Sequence, residues 1–181
     1  TAQKIAATLH ELGIECETGI AKTGVVAYLG EGTPRFALRA DMDALPILEA
    51  NDVEYKSQND GVMHACGHDA HTACLLGAAM MLNEDFKAGK LNGSVKLLFQ
   101  PNEENSGTAG PSGGQLKVEE GALTDVDAVV GLHVVSTLPR GSVFVRPGAF
   151  MAAVDTFEGQ VIGIGGHGAY PHEALDPIWL S

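Results

Sequence analysis

Between Phe36 and Val135, short apolar runs alternate with segments that have the spacing of helices. A strand that leads through a helix into the next strand favours a crossover connection and a parallel pair. The predicted strands and helices, in chain order, are Phe36–Ala40, Asp69–Leu82, Val95–Phe99, Gln115–Glu120 and Ala128–Val135. The last two strands are largely apolar, so we expect both to be buried. We therefore predict an α/β fold with a mainly parallel sheet flanked by helices.

Shorter elements are predicted on either side of this core. A helix and two strands are predicted before Phe36, and the sequence pattern changes from about residue 151. Thr156–Ile164 is a predicted strand, and a further helix begins near Ala174 but has room for only a turn or two. We therefore predict a first domain over 1–150 and the beginning of a second domain over 151–181.

The charge of the chain limits its partners. It has 11 Lys and Arg residues against 23 Asp and Glu residues, which gives a net charge of -12. Nucleic acid and anionic membranes repel such a surface, so neither is an expected partner. The longest nearly apolar stretch, Ala73–Leu82, has about half the length of a membrane span, and the amphipathic Thr1–Gly13 does not resemble a signal peptide. Three cysteines without a CxxC pair favour a reducing, cytoplasmic location.

Cys66 and His68 stand on either side of Gly67, directly before a predicted helix. Thiolate and imidazole are preferred ligands of zinc and similar ions, and a glycine turn allows both side chains to approach one centre. The alternative interpretation is a buried cysteine beside a histidine that starts the helix. His64 and His71 are expected to lie outside the direct ligand set.

Acidic residues follow two of the predicted strands. Glu103 and Glu104 come just after Val95–Phe99, and adjacent side chains cannot point the same way. One can therefore bind a cation while the other acts as general base, as metal-assisted hydrolysis requires. Asp41 and Asp43 share one face at the end of a strand and can bind a metal or orient a histidine that does. A solvated acidic loop and a capped turn are the respective alternatives.

Two histidines extend this set of reactive side chains. His133 lies late in an apolar strand, where a backbone carbonyl is the usual partner of a histidine. His167 lies in the glycine-rich run Gly165–Gly168, which can bring it close to a ligand. No phosphate-loop or HExxH pattern is present in the sequence. Since strand ends of a crossover sheet meet at one edge, the cysteine, histidines and glutamates form a complete list for a hydrolytic centre with one or two metals.

Five motifs then occur in an order that resembles the M20 metallopeptidase family. They are Arg39–Pro46, His64–His71, Gln100–Glu104, Gly131–His133 and Gly165–His172. Within that family, the chain resembles the amidohydrolase branch, which contains hippurate hydrolases, N-acyl-amino-acid deacylases and auxin-conjugate hydrolases. The resemblance extends over essentially the whole chain.

The resemblance implies a site with two divalent metal ions, which are zinc, manganese, nickel or cobalt in different members. Matched by position to the family's motifs, the implied metal ligands are Cys66, His68, Glu104 and His133. The implied catalytic residues are Glu103 as general base, Asp43 as a support for the site and His167 as a histidine of a smaller lid domain. Residues 1–150 then correspond to the N-terminal portion of a catalytic domain and 151–181 to the start of the lid, through which members form homodimers.

The resemblance also implies an activity, the metal-dependent hydrolysis of the amide bond in N-acyl amino acids. The substrate is then a small molecule. A carboxypeptidase or dipeptidase with the same centre is one alternative. A truncated, non-catalytic metal-binding fragment is another, because family members are longer and carry a further histidine ligand near their C-terminus, which nothing in this chain supplies.

Overall fold

A computed structural model describes residues 1–104, 110–152, 155 and 157–181. They divide into two compact units, Thr1–Thr137 and Leu138–Ser181. The five strands, all in the first unit, are β1 (Cys16–Ile20), β2 (Gly24–Gly30), β3 (Arg35–Asp41), β4 (Ser94–Gln100) and β5 (Ala128–Gly131). The α-helices are α1 (Ala2–Glu11), α2 (His68–Lys87) and α3 (Gly113–Glu119) in the first unit and α4 (Pro177–Leu180) in the second.

The five strands form one mixed sheet in the order β1-β2-β4-β3-β5. β1 with β2 and β2 with β4 are antiparallel, whereas β3 pairs in parallel with both β4 and β5. Helix α2 connects β3 to β4, and α3 connects β4 to β5, so both predicted crossovers are present. The predicted α/β class is therefore confirmed, and the parallel half of the sheet is β4-β3-β5.

Both faces of the sheet are covered near its centre, where β4 is buried along its whole length. On one face, β4 contributes Leu97 and Phe99 to a core that includes residues of α1 and α2. On the other face, Leu98 lies in a smaller cluster with Val26 and Ala122. Alternate residues of one strand thus serve two cores, because successive side chains point to opposite faces of a sheet.

The expectation of a buried strand over Ala128–Val135 is wrong. Strand β5 ends at Gly131, and all four of its residues are exposed. It is the edge strand, paired with β3 alone, so its apolar side chains gain no cover from a second neighbour. Of the predicted strand Thr156–Ile164, Thr156 lies outside the described residues, and the described remainder forms only a bridge between Ile164 and Leu175.

No helix in the described part of the chain is long and apolar enough to cross a membrane. The longest, α2, has 20 residues but begins with a histidine and an aspartate and ends with a lysine.

Lys117 on α3 is a buried cation away from the predicted site. The residue is only 3% exposed, and its Nζ donates one long hydrogen bond of 3.4 Å to the carbonyl oxygen of Val25. Burial lowers the pKa of Lys117 from 10.5 to about 8, against the smaller opposing effect of the Glu120 carboxylate. Since burial disfavours the charged form, this lysine reduces the stability of the fold at neutral pH.

We expect Lys117→Met to raise the free energy of unfolding at neutral pH by about 1–3 kcal/mol, the order of the pKa shift. Below a pH of about 8 the lysine is protonated in both the folded and the unfolded state, and the cost of burying the charge is fully present. Between about 8 and 10.5 the unfolded state binds more protons, so this cost is lost and the advantage of the variant disappears. Urea unfolding at neutral and alkaline pH measures both effects.

Lys96→Met is the matched control for this substitution. Lys96 is 6% exposed, but its Nζ donates to the carbonyl oxygens of Ala122 and Thr124 at 3.1 and 2.9 Å. Lys96→Met also removes a buried charge, but it leaves two carbonyl oxygens without their donor, and this loss offsets the gain in stability. Equal losses of stability in the two variants at neutral pH would contradict the assignment of Lys117 as a destabilising charge.

Candidate metal centre

The predicted reactive side chains of the first unit meet at the carboxyl edge of the parallel strands. Asp43 follows β3, Glu103 and Glu104 follow β4, and His133 follows β5. Cys66 and His68 lie at the start of α2 and reach the same edge, as the distances below show. This is the edge at which open α/β sheets bind their ligands.

A left-handed glycine separates Cys66 from His68. Gly67 is the N-cap of α2 with φ of 79°, and its carbonyl oxygen accepts from the backbone N–H groups of Ala70 and His71. The Asp69 carboxylate accepts from the backbone N–H of Ala70 inside the first turn. The turn at Gly67 leaves Cys66 just before the helix and places His68 as its first residue.

We expect Gly67→Ala to destabilise the protein by about 1–3 kcal/mol, since a residue with a Cβ is strained at this φ. A Cβ at Gly67 would also lie 2.5 Å from Cγ2 of Val134, which must then move. Gly77→Ala is the matched control, because Gly77 lies within α2 and a Cβ there meets nothing within 4 Å. That change should stabilise by up to about 1 kcal/mol. Urea unfolding compares the two, and equal stabilities would refute the prediction.

The two ring nitrogens of His68 have different surroundings. Its Nδ1 lies 3.0 Å from the main-chain oxygen of Asp43 and 3.2 Å from Oδ1 of the same residue, so Nδ1 carries the proton and donates it. Its Nε2 is buried without a hydrogen-bond partner, 3.8 Å from both Glu103 Oε2 and Glu104 Oε1. A histidine that donates from one nitrogen and leaves the other lone pair free has the arrangement of a metal ligand.

Cys66 and His133 face each other beside His68. The Cys66 Sγ lies 3.8 Å from Nε2 of His133, whose Nδ1 donates to the Val134 carbonyl oxygen at 2.6 Å. Burial, a hydrogen bond to the Glu104 carboxylate and the surrounding acidic charges raise the pKa of the Cys66 thiol to about 11. The thiol is therefore protonated at neutral pH, and a cation must displace that proton to bind the sulfur.

The aspartate after β3 links the histidine to the glutamates. Asp43 uses Oδ1 toward His68, while its Oδ2 accepts from the backbone N–H groups of Glu103 and Glu104 at 2.9 and 3.3 Å. Burial, followed by the charges of Asp41 and Glu104, raises the pKa of the Glu103 carboxyl. Asp43 is thus placed to hold the loop that presents both glutamates, as a support for the site would be.

His68 belongs to every group of potential metal ligands found among the described residues. The groups are Cys66, His68 and His133; His68, Glu103 and Glu104; and Asp41, His68 and His71, each with ligand atoms within 4.8 Å of one another. Sulfur, nitrogen and oxygen donors of this kind suit zinc and other divalent transition metals. Such an ion would provide a partner for Nε2 of His68, which is buried and has no hydrogen-bond partner.

The sequence left His71 outside the ligand set and gave no role to Arg39. The His71 side chain is completely buried, its ring centroid lies 5.2 Å from that of His68, and its Nδ1 lies 3.4 Å from Oδ2 of Asp41. Arg39 pairs with the same Asp41 carboxylate. Burial and then the nearby charges of His133, His68 and Arg39 lower the pKa of His71 to about 4, so it is neutral at neutral pH. The three-residue spacing from His68 was the available signal, since it puts both on one helix face.

His167 lies in the second unit, which is described by itself. Its Nδ1 accepts from the backbone N–H of Ala169 at 3.1 Å, and its ring lies 5.3 Å from that of Tyr170. Its role at a substrate remains a prediction from the resemblance, as do the roles of Cys66 and the other site residues.

An α/β sheet with sulfur, nitrogen and oxygen donors at its carboxyl edge suits a metal-dependent hydrolase. Comparison with known proteins makes the assignment specific, since residues 37–177 match Peptidase family M20/M25/M40. The chain belongs to this family, as its motifs predicted.

Curated relatives match almost the entire chain. Thermostable carboxypeptidase 2 of Saccharolobus solfataricus is 46% identical over the whole chain, which covers 46% of that protein. N-acetyl-L-cysteine deacetylase of Bacillus subtilis is 47% identical over 98% of the chain, which covers 42% of that protein. The YXEP protein of Bacillus subtilis, described as a dinuclear metal-binding peptidase of the M20 family, is 42% identical, with a TM-score of 0.68 over 76% of this chain and 38% of its own. The chain thus spans about half the length of the curated relatives it matches.

Proposed function

We propose that this protein hydrolyses the amide bond of N-acyl amino acids with the help of two divalent metal ions. The proposal rests above all on two groups of potential ligands that share His68, namely Cys66, His68 and His133, and His68, Glu103 and Glu104, and on the buried Nε2 of His68 without a partner. The similarity to a protein named N-acetyl-L-cysteine deacetylase supports the substrate class.

The proposed metal ligands are Cys66, His68, Glu104 and His133, with a donor set that suits zinc, manganese, nickel or cobalt. Two such ions, if bound there, would supply polarisation of a substrate carbonyl and a water whose pKa is lowered towards ~7. Asp43 keeps the proton of His68 on Nδ1, and this leaves Nε2 available as a ligand.

Glu103 is the proposed general base. Its Oε2 lies beside Nε2 of His68, and its main chain is held by Asp43, so the carboxylate is positioned at the proposed ligands. Oε2 accepts a proton from water during attack on the amide and returns that proton to the leaving amine. The raised pKa of Glu103 brings it closer to neutral pH, where a proton acceptor and donor works best. His167 is proposed to donate to the carbonyl oxygen of a substrate in the neighbouring subunit's site, as the family resemblance implies, a contribution commonly worth ~3–4 kcal/mol.

The test is the release of free amino acid from N-acetyl and N-benzoyl amino acids, compared with a panel of dipeptides. We expect release that requires added Mn²⁺ or Zn²⁺ and stops with a chelator. Cleavage of the dipeptides alone would instead establish the carboxypeptidase or dipeptidase alternative, which the similarity to a thermostable carboxypeptidase favours. Metal binding without turnover of either panel would establish the non-catalytic alternative.

We also propose a homodimer formed through residues 151–181, as the family resemblance implies. Light scattering on the purified protein, with and without these residues, tests it directly.

A further inference from the structure

His71 makes a hydrogen bond that determines where its own proton lies. Its Nε2 accepts from the backbone N–H of Val134 at 3.0 Å, so this nitrogen carries no hydrogen. The ring proton is therefore on Nδ1, which faces Asp41 Oδ2 at 3.4 Å. In the opposite tautomer, Nε2 of His71 would carry a hydrogen and could not accept from the Val134 N–H, so this hydrogen bond would be lost.

Asp41 is itself anchored to the sheet. The Arg39 Nη1 donates to Asp41 Oδ2 at 2.9 Å, and Nη2 pairs with Oδ1. The Arg39 Nε donates to the Gln100 side chain on β4, and Thr72 on α2 donates to the Asp41 carbonyl oxygen. These contacts hold Asp41 at the end of β3, where its Oδ2 faces Nδ1 of His71.

The same Val134 backbone orients His133. Its carbonyl oxygen accepts from Nδ1 of His133, which leaves Nε2 of His133 toward the Cys66 sulfur. The β5 ladder ends at the pair of Arg39 with Gly131, so the segment that carries His133 has passed beyond the sheet and needs another anchor. The His71 ring supplies it, and also lies edge-on to the His133 ring at 4.6 Å.

We propose that His71 is a positioning residue, which presents His133 to the metal ions by holding the backbone of Val134. The inference rests on the proposed metal centre, but it concerns a residue that the ligand set does not include. It assigns His71 to the shell around the ligands. The competing view is an ordinary buried histidine that contributes only to stability.

Two substitutions separate these views. His71→Leu fills the space but offers no acceptor to the Val134 N–H. His71→Gln carries a side-chain oxygen that can accept this hydrogen bond. We expect His71→Leu to weaken Co²⁺ binding roughly 10–100-fold, the usual effect of losing a partner of a metal ligand. His71→Gln should restore most of that affinity.

Co²⁺ binding is followed by absorption, and the free energy of unfolding of each metal-free variant is measured in urea. The proposal is supported if His71→Leu, which lacks an acceptor, loses Co²⁺ affinity and His71→Gln, which has one, keeps it, whatever the stabilities of the two variants. Equal Co²⁺ affinity in the wild type and both variants would overturn it, as would losses in the two variants that simply match their losses of stability. A wild-type protein that binds no Co²⁺ would instead refute the metal centre on which the proposal depends.

The tautomer provides a test that needs no substitution. Long-range ¹H–¹⁵N spectra of the wild-type, metal-free protein report which nitrogen of each histidine carries the proton. The proposal requires His71 protonated on Nδ1 at neutral pH. A proton on Nε2 would rule out the hydrogen bond from Val134 and, with it, the proposed role.

Discussion

Glu103→Gln should abolish most of the hydrolysis while the metal ions stay bound. A glutamine has nearly the same size and keeps the backbone N–H that donates to Asp43, but its amide cannot accept a proton from water. We expect kcat to fall roughly 10²–10⁴-fold, the range attributed to a general base. Release of the free amino acid gives kcat, and elemental analysis gives the metal content.

Glu104→Gln is the matched comparison, because it makes the same chemical change at the next residue. Glu104 is the proposed ligand, so this variant should lose metal as well as activity. Glu84→Gln, at an exposed position on α2, should change neither. A fully active Glu103→Gln protein with normal metal content would show that the base is another residue. Loss of metal from Glu103→Gln but not from Glu104→Gln would mean that the two roles are exchanged.

His68→Ala should have the largest effect on metal binding. His68 is common to all three groups of potential ligands among the described residues, and its Nε2 is buried without a hydrogen-bond partner. Removing a partner of a ligand costs roughly 10–100-fold in affinity, so removal of a ligand should cost at least ~100-fold. We expect hydrolysis to fall with the metal content and excess Co²⁺ to restore it only partly.

The control for this variant is His172→Ala. The His172 side chain is 72% exposed, in the second unit, and is expected to leave both metal affinity and activity unchanged. Titration with Co²⁺ compares the variants. If His68→Ala binds Co²⁺ as tightly as the wild type, His68 is not a ligand, and the proposed ligand set is wrong.

Much of the site was predictable because its residues follow directly from the order of strands and helices. Asp43 and Glu103 each come just after a predicted strand and His133 lies late in another, and strands joined by crossover helices end at one edge. To apply this rule, it was enough to recognise that apolar runs alternate with helical segments along the chain. It placed these residues near Cys66 and His68 without any knowledge of contacts.

The buried strand predicted over Ala128–Val135 shows where this approach fails. An apolar run indicates that a segment can be buried, but burial depends on what covers it. Strand β5 lies at the edge of the sheet and is exposed. The apolar run continues beyond Gly131, but the strand does not, and His133 lies in the irregular segment that follows.

By itself, the sequence determined the α/β class, the family and the residues with the chemistry to bind metal, because periodicity and motif order are local properties of the chain. Only the tertiary structure decided that Asp43 joins His68 to Glu103, and that His71 holds Val134. The separations along the chain are 25 positions for Asp43 and His68, 60 for Asp43 and Glu103 and 63 for His71 and Val134. Local patterns do not specify such pairs, because hydrogen bonds of this kind depend on which strands become neighbours and on the direction in which each loop leaves the sheet.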